Sequence, residues 1–285
     1  MEPAQREFLD ALLDTASPSG FESATQRVWI DYVSEYADEV RTDDYGNAVA
    51  VLEGGDPAVA LAGHGDEIGF MVRDITDSGY IQMTPIGGSD KTVSRGQHVQ
   101  IHTDDGAVSG VIGQTAIHLR DQDSEGAAEI GEQHVDIGAE DGDAAEELVE
   151  RGDPITFEQT VSELENGRIA ARGLDNRVGI WAAAEGFRRA AEEGPEATVY
   201  AVSTVQEELG LRGAQMVGFD LDPDAVVATD VTHATDDPGT PGKESSGVEL
   251  GGGPSVARGS ANPPTVVAAV REVAESEGID IQLEA

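Results

Sequence analysis

The chain contains no cysteine. Disulfide staples and thiolate metal sites are therefore both excluded, and any metal has to be held by nitrogen and oxygen donors. Lysine is almost as scarce: Lys91 and Lys243 are the only two, and the other basic residues are arginines. No apolar run approaches the length of about 18 residues that a membrane-spanning helix needs. The N-terminus, Met1-Glu2-Pro3-Ala4-Gln5-Arg6, lacks the charged-then-apolar pattern of a secretion signal. These absences lead to the expectation of a soluble, cytoplasmic protein.

What replaces the missing bases is acid. The 285 residues carry 56 acids against 17 bases, a formal net charge of −39. Phosphates would be repelled, so neither nucleic acid nor an anionic membrane is expected as a partner. The acids are spread along periodic segments rather than gathered in a tail, and apolar runs persist between them, which argues against disorder. Such a pattern fits a halophilic protein in a cytosol of very high salt, where the Debye length shrinks to about 3 Å.

The chain is long enough to bury a large core in one domain or two. Residues 4–16 place Phe8, Leu9, Leu12 and Leu13 at helical spacing, ended by Ser17-Pro18-Ser19-Gly20. A second helix is expected from Glu22 to Tyr36. Residues 40–42 and 48–52 read as strands joined by the turn Asp44-Tyr45-Gly46-Asn47, and 59–62 as a buried strand. From about Gly69 the pattern changes to short strand-like runs broken by Asp, Gly and Ser turns: 70–75, 80–85, 97–102, 107–115 and 154–159. Helical periodicity is scarce there apart from 143–150. This predicts a small β-barrel or sandwich, residues 70–163, inserted between the two parts of an α/β domain, 1–69 and 164–285. His98, His102, His118 and His134 lie scattered in it without ligand spacing and read as surface residues. The polar stretch Asp121–Glu129 reads as a flexible loop. After Asn166-Gly167 the α/β pattern returns, with a helix opened by Asp175, a strand at 197–205, a short helix at 212–217, a strand at 225–228 and a helix at 264–277. Gly251-Gly252-Gly253 is not followed by a phosphate-loop Lys or Ser/Thr and reads as a tight turn beside the site, so no organic cofactor is expected.

Four chemistry-bearing groups fall at strand or helix ends, where open α/β sheets place their sites. His64-Gly65-Asp66-Glu67 follows the strand ending at Ala62. Asp175 opens a helix, Glu207-Glu208 follows the strand of residues 197–205, and Asp230 follows Ala225–Ala228. Imidazole and carboxylate are donors a divalent metal accepts. Because side chains alternate in extended backbone, Glu207 and Glu208 are expected to diverge, one gripping a metal and the other handling a proton.

At this point the sequence resembles a known family, the tetrahedral, TET-type metallo-aminopeptidases, often labelled glutamyl aminopeptidases and sometimes endoglucanases. The resemblance rests on an ordered set: Ser17-Pro18-Ser19-Gly20-Phe21-Glu22, Asp44-Tyr45-Gly46-Asn47, His64-Gly65-Asp66-Glu67-Ile68-Gly69-Phe70, Pro85-Ile86-Gly87-Gly88, Gly110-Val111-Ile112-Gly113, Asp136-Ile137-Gly138-Ala139, Leu174-Asp175-Asn176-Arg177, Val205-Gln206-Glu207-Glu208-Leu209-Gly210 and Asp230-Val231-Thr232. It implies a mixed-sheet α/β metallo-exopeptidase domain with an inserted β-barrel-like domain, peptide substrates, and two divalent ions, zinc or cobalt. It further implies a homo-oligomer, with a dodecamer as the expected form and the 121–129 region helping to build it. Carried over position by position, His64 and Asp230 would hold one metal, Glu208 the other, and Asp175 would bridge. Glu207 would be the general base, and Asp66 would orient the His64 imidazole.

The family's remaining ligand to the second metal is a histidine near the C-terminus. The present sequence stops at Ile281-Gln282-Leu283-Glu284-Ala285, and His233 matches a non-ligand position, so the expectation is a fragment. A non-catalytic relative with an incomplete second site is the alternative. An endoglucanase is a weaker one, since paired glycosidase carboxylates face each other about 5–5.5 or 6.5–9.5 Å apart, whereas these glutamates are adjacent.

Overall fold

In the computed structural model, residues 1–120, 126, 128–242 and 246–285 are described, and most of the 121–129 stretch read as a loop lies outside them. Met1–Asp230 forms one compact unit and Val231–Ala285 another.

The first unit opens with α1 (Pro3–Asp14) and α2 (Ser23–Val33). Both put one apolar stripe inward: Phe8, Leu9, Leu12 and Leu13 from α1, Trp29 and Val33 from α2. The hairpin β1 (Glu39–Thr42) and β2 (Ala48–Leu52) turns through Asp43–Asn47, where Asp43 Oδ1 accepts the N–H groups of Tyr45, Gly46 and Asn47. β3 (Gly55–His64) is longer than the apolar run Val59–Ala62 suggested, because it begins with the exposed residues Gly55, Asp56 and Pro57, which carry no apolar pattern.

The chain then leaves the sheet and forms a closed barrel of β4 (Gly69–Ile75), β5 (Ile81–Ile86), β6 (His98–Thr103), β7 (Gly106–Ile112), β8 (His134–Asp136) and β9 (Pro154–Phe157), in the order β4-β5-β8-β7-β6-β9. Closure removes the exposed edges that six short strands would otherwise present. Its core holds Phe70, Val72, Ile81, Met83, Val99, Ile101, Ile112, Val135 and Ile155. The sequence did not point to β8: three residues are too few to show alternation, although Val135 is fully buried. The helix expected at 143–150 is shorter, α3 (Gly142–Glu146). His98 and His118 are exposed as expected, but His102 is partly buried and bonds through Nε2 to Thr156 Oγ1 at 2.8 Å. A surface reading fails for it because barrel closure brings β9 alongside β6.

A two-stranded ribbon, β10 (Ser162–Glu163) and β11 (Ile169–Ala170), leads into α4 (Leu174–Glu193), β12 (Ala197–Thr204), α5 (Arg212–Asp220) and β13 (Ala225–Ala228). The main sheet runs β1-β2-β12-β3-β13 and is mixed: β12 and β13 lie parallel to β3, and β1 and β2 are antiparallel. Leu12, Trp29, Ile180 and Phe187 pack on one face with Ala50 and Ala201, and Trp29 Nε1 donates to Ile180 O at 3.0 Å. Val49, Val51, Val202 and Leu221 fill the other. The fold class is thus α/β with a mixed sheet and a β-barrel.

In the second unit, β14 (Ser255–Ala257) pairs in parallel with β15 (Gln282–Glu284), and α6 (Pro264–Glu277) connects them. The glycine run is a turn, as read: Gly253 sits at φ +91°, where a Cβ would lie 2.0 Å from Asp280 O. Among the described residues no helix is long and apolar enough to cross a membrane.

Candidate metal centre

Parallel pairing brings the predicted residues to one edge. Thr204 of β12 registers with His64 of β3, and Ala228 of β13 with Ala62, so the carboxyl ends of three strands lie side by side. His64 ends β3, Glu207 and Glu208 follow β12, and Asp230 follows β13. Asp175 arrives from the entry to α4, which lies close against β3: a Cβ on Gly63 would come 2.6 Å from the backbone of Gly179. Asn176 ties that entry to the end of β13, its Nδ2 donating to Thr229 O at 2.8 Å and its Oδ1 accepting Gly179 N–H at 2.9 Å.

His64 is buried, 3% exposed. Its Nε2 lies 3.2 Å from Asp175 Oδ1, 3.7 Å from Glu207 Oε2 and 3.8 Å from Asp230 Oδ1. Two ligand triangles share this imidazole, His64 with Asp175 and Asp230, and His64 with Glu207 and Glu208, with donor atoms in each within 4.8 Å of one another. Among the described residues no Lys or Arg side chain pairs with Asp175, Glu207 or Glu208.

Partly buried beside further acids, Glu207 and Glu208 resist ionising. Burial pushes the Glu208 carboxyl up to about 7, with the neighbouring Asp175 charge adding to it, and burial raises Glu207 as well. Burial opposes a charge on His64, yet the adjoining Asp175 and Asp66 carboxylates outweigh it and raise the imidazole to about 10. One imidazole and four carboxylates are a nitrogen and oxygen donor set that fits a hard or borderline divalent ion.

Asp66 is fully buried behind this cluster. Its Oδ1 is 3.3 Å from His64 Nδ1 and accepts Glu207 N–H at 3.0 Å; its Oδ2 accepts Glu208 N–H at 3.1 Å and the Ser19 hydroxyl at 2.6 Å. Burial alone would raise its pKa, but these donors and His64 hold it below the usual carboxylate range.

The expectation that Glu207 and Glu208 diverge by strand alternation is corrected. β12 ends at Thr204, Gln206 has φ +53°, and Gly210 and Leu211 both donate to Glu207 O, at 2.7 and 2.9 Å. The glutamates sit in a turn, where alternation does not apply, and both carboxylates approach the same imidazole. Asn47 supports the turn: its Oδ1 accepts Val205 N–H at 3.1 Å and its Nδ2 donates to Gly213 O at 3.1 Å. Gly87 of the barrel borders it, since a Cβ there would lie 3.1 Å from Glu208 Cβ. Asn47 and Gly87 had no role in the sequence reading beyond their motifs. Long-range backbone contacts leave no local signal.

A mixed α/β sheet joined to a β-barrel, with an acid-and-histidine cluster at the strand ends, defines a metallo-exopeptidase domain. The chain belongs to the M42 glutamyl aminopeptidase family, whose model matches residues 46–285. A lysyl aminopeptidase of Pyrococcus furiosus is 35% identical over 283 residues, 98% of this chain and 80% of the relative. Among solved structures, a TET aminopeptidase from a marine sediment archaeon of the Thaumarchaeota superposes with a TM-score of 0.91 at 34% identity, over 99% of this chain and 80% of that one. A TET peptidase of Pyrococcus horikoshii, which can assemble into a tetrahedron or a large octahedral shell, gives 0.85 at 30% identity over 98% and 84%. The chain is accordingly a hydrolase of peptide bonds, a TET-type member of an aminopeptidase family whose activity depends on a divalent metal.

Proposed function

We propose that the protein removes N-terminal residues from peptides by hydrolysis at a centre of two divalent ions, zinc or cobalt. The observation that carries this reading is the convergence of His64, Asp175, Glu207, Glu208 and Asp230 at the ends of three parallel strands. His64 and Asp230 would hold one ion, Glu208 the other, and Asp175 both. When bound, such ions polarise a scissile carbonyl and make water a nucleophile at neutral pH. Glu207 Oε2 takes a proton from the attacking water and returns it to the leaving amine; the raised pKa that burial gives this carboxyl suits a group that must do both. Asp66 keeps the His64 ring and the Glu207–Glu208 turn in register. The acids around the centre attract a free, protonated α-amine, which makes the enzyme an exopeptidase.

Residues 70–163 are proposed as a domain inserted between 1–69 and 164–285. Likeness to the assembling Pyrococcus horikoshii peptidase supports a homo-oligomer, with a dodecamer as the form to test. The charge of −39 supports a halophilic, cytoplasmic setting. Glycosidase chemistry is not favoured, because Glu207 and Glu208 converge on one imidazole instead of facing each other across a cleft.

Aminoacyl-nitroanilides, an N-acetylated control and carboxymethylcellulose, each with and without chelator, test the proposal. Chelator-sensitive release from the free-amine substrate alone is expected. Turnover of the blocked substrate or of cellulose, or indifference to chelator, would overturn it.

A further inference from the structure

Asp175 is the most exposed of the ligands proposed here, with 56% of its side chain open to solvent, and its own backbone is not helical (φ −83°, ψ 106°). Little about Asp175 itself fixes where its carboxylate sits. Its flanks do. Arg172, three residues before it, donates through Nη1 to Glu67 Oε1 at 2.5 Å, and Arg177, two residues after it, donates through Nη2 to the same oxygen at 3.0 Å. Glu67 and Arg177 are buried, with side chains 3% and 0% exposed, and Arg172 is partly buried, its side chain 9% exposed. The segment carrying Asp175 is therefore strung between two anchors on one carboxylate, and that carboxylate belongs to the third residue after His64.

The rest of the knot ties the same parts together. Arg177 also reaches Ser17 Oγ at 2.7 Å, Thr15 O at 3.1 Å and Leu12 O at 3.3 Å, and Arg172 Nη2 reaches Asp14 O at 3.1 Å. Ser17 N–H donates to Glu67 Oε1 at 2.9 Å, and the Ser17 hydroxyl donates to Gly65 O at 2.8 Å. Gly173, at φ +65°, lets the backbone pass so close that a Cβ there would lie 3.0 Å from Glu67 Oε2. A buried ion pair is a poor source of stability but a strong geometric constraint, because unpairing either arginine leaves a desolvated charge.

We propose that Glu67 is a positioning residue: by gripping Arg172 and Arg177 on either side of Asp175, it sets the distance from Asp175 to His64 that metal capture requires. The inference rests on the metal-centre reading above. It concerns neither of the ligand triangles directly, since Glu67 is in neither.

The test is cobalt titration of the purified protein, followed by its visible absorption spectrum, for wild type, Glu67→Gln and Arg172→Gln. Glu67→Gln is expected to weaken cobalt binding about 10–100-fold, the range seen when outer partners of metal ligands are removed, and to alter the ligand-field bands. At saturating cobalt, KM for an aminoacyl-nitroanilide is expected to stay within about twofold. Arg172→Gln removes the less buried anchor and should act in the same direction, more weakly. It also decides the matter if Glu67→Gln does not fold. Variants with wild-type cobalt affinity and spectrum, altered only in thermal stability, would overturn the positioning role and leave the metal centre standing. A wild-type protein that takes up no cobalt would overturn both.

Discussion

The carboxylate of Asp66 accepts the backbone N–H of Glu208 at 3.1 Å, across 142 residues of sequence. Its other oxygen accepts Glu207 N–H at 3.0 Å and faces His64 Nδ1 at 3.3 Å. One side chain thus holds the ring and the glutamate turn in a single frame. In Asp66→Asn, the amide group would have to face at least one of these N–H donors, leaving it buried and unpaired at a cost of about 1–3 kcal/mol. The expected result is a lower melting temperature in chelator and kcat/KM reduced about 10–100-fold. Unchanged turnover would show that the frame does not matter.

Glu207→Gln is expected to abolish most hydrolysis while leaving metal content nearly unchanged. An amide cannot accept the proton, and a general base contributes about 10²–10⁴-fold. Metal analysis and kinetics on the same preparation check this. Loss of metal together with activity would exchange the roles given to Glu207 and Glu208.

The ends of β2 and β13, and the strand-end positions of His64, Glu207, Glu208 and Asp230, were legible because apolar runs stop on polar residues there, and Asp175 because a helical pattern opens on it. The barrel was legible as short runs and turns, without its closing strand β8. The conformation of the Glu207–Glu208 turn was not. It depends on Gln206 at φ +53° and on Asn47 and Asp66, all remote or local exceptions to the strand pattern. The Glu67–Arg172–Arg177 knot was hidden for the same reason: 105 and 110 residues separate its partners.

Two glycines of α5 should respond oppositely to alanine. At Gly213 a Cβ would lie 2.2 Å from Val205 O and 2.4 Å from Asn47 Oδ1, at the base of the glutamate turn. Gly213→Ala is therefore expected to cost at least about 3 kcal/mol, the upper end of ordinary overpacking, and to impair catalysis. At Gly218 no atom lies within 4 Å of a Cβ, and the backbone is helical. Gly218→Ala should stabilise by about 0.5–1 kcal/mol. Denaturant unfolding of the two variants measures both, and equal effects would contradict this packing.

Folding is expected to depend on molar salt. The net charge of −39 is spread along the chain, and at 0.1 M salt the Debye length of about 10 Å lets neighbouring carboxylates repel. The melting temperature should fall steadily from molar KCl to dilute buffer. A flat profile would contradict the halophilic reading.

The most direct test of the metal centre is calorimetric titration of the apoprotein with zinc at molar KCl, for wild type and His64→Ala. Because His64 is proposed to hold one ion with Asp230 and Asp175, its loss should remove that zinc site from the titration, leave only the site at Glu208 and Asp175, and abolish peptidase activity. Wild-type zinc binding in His64→Ala, or activity that survives without it, would contradict the account.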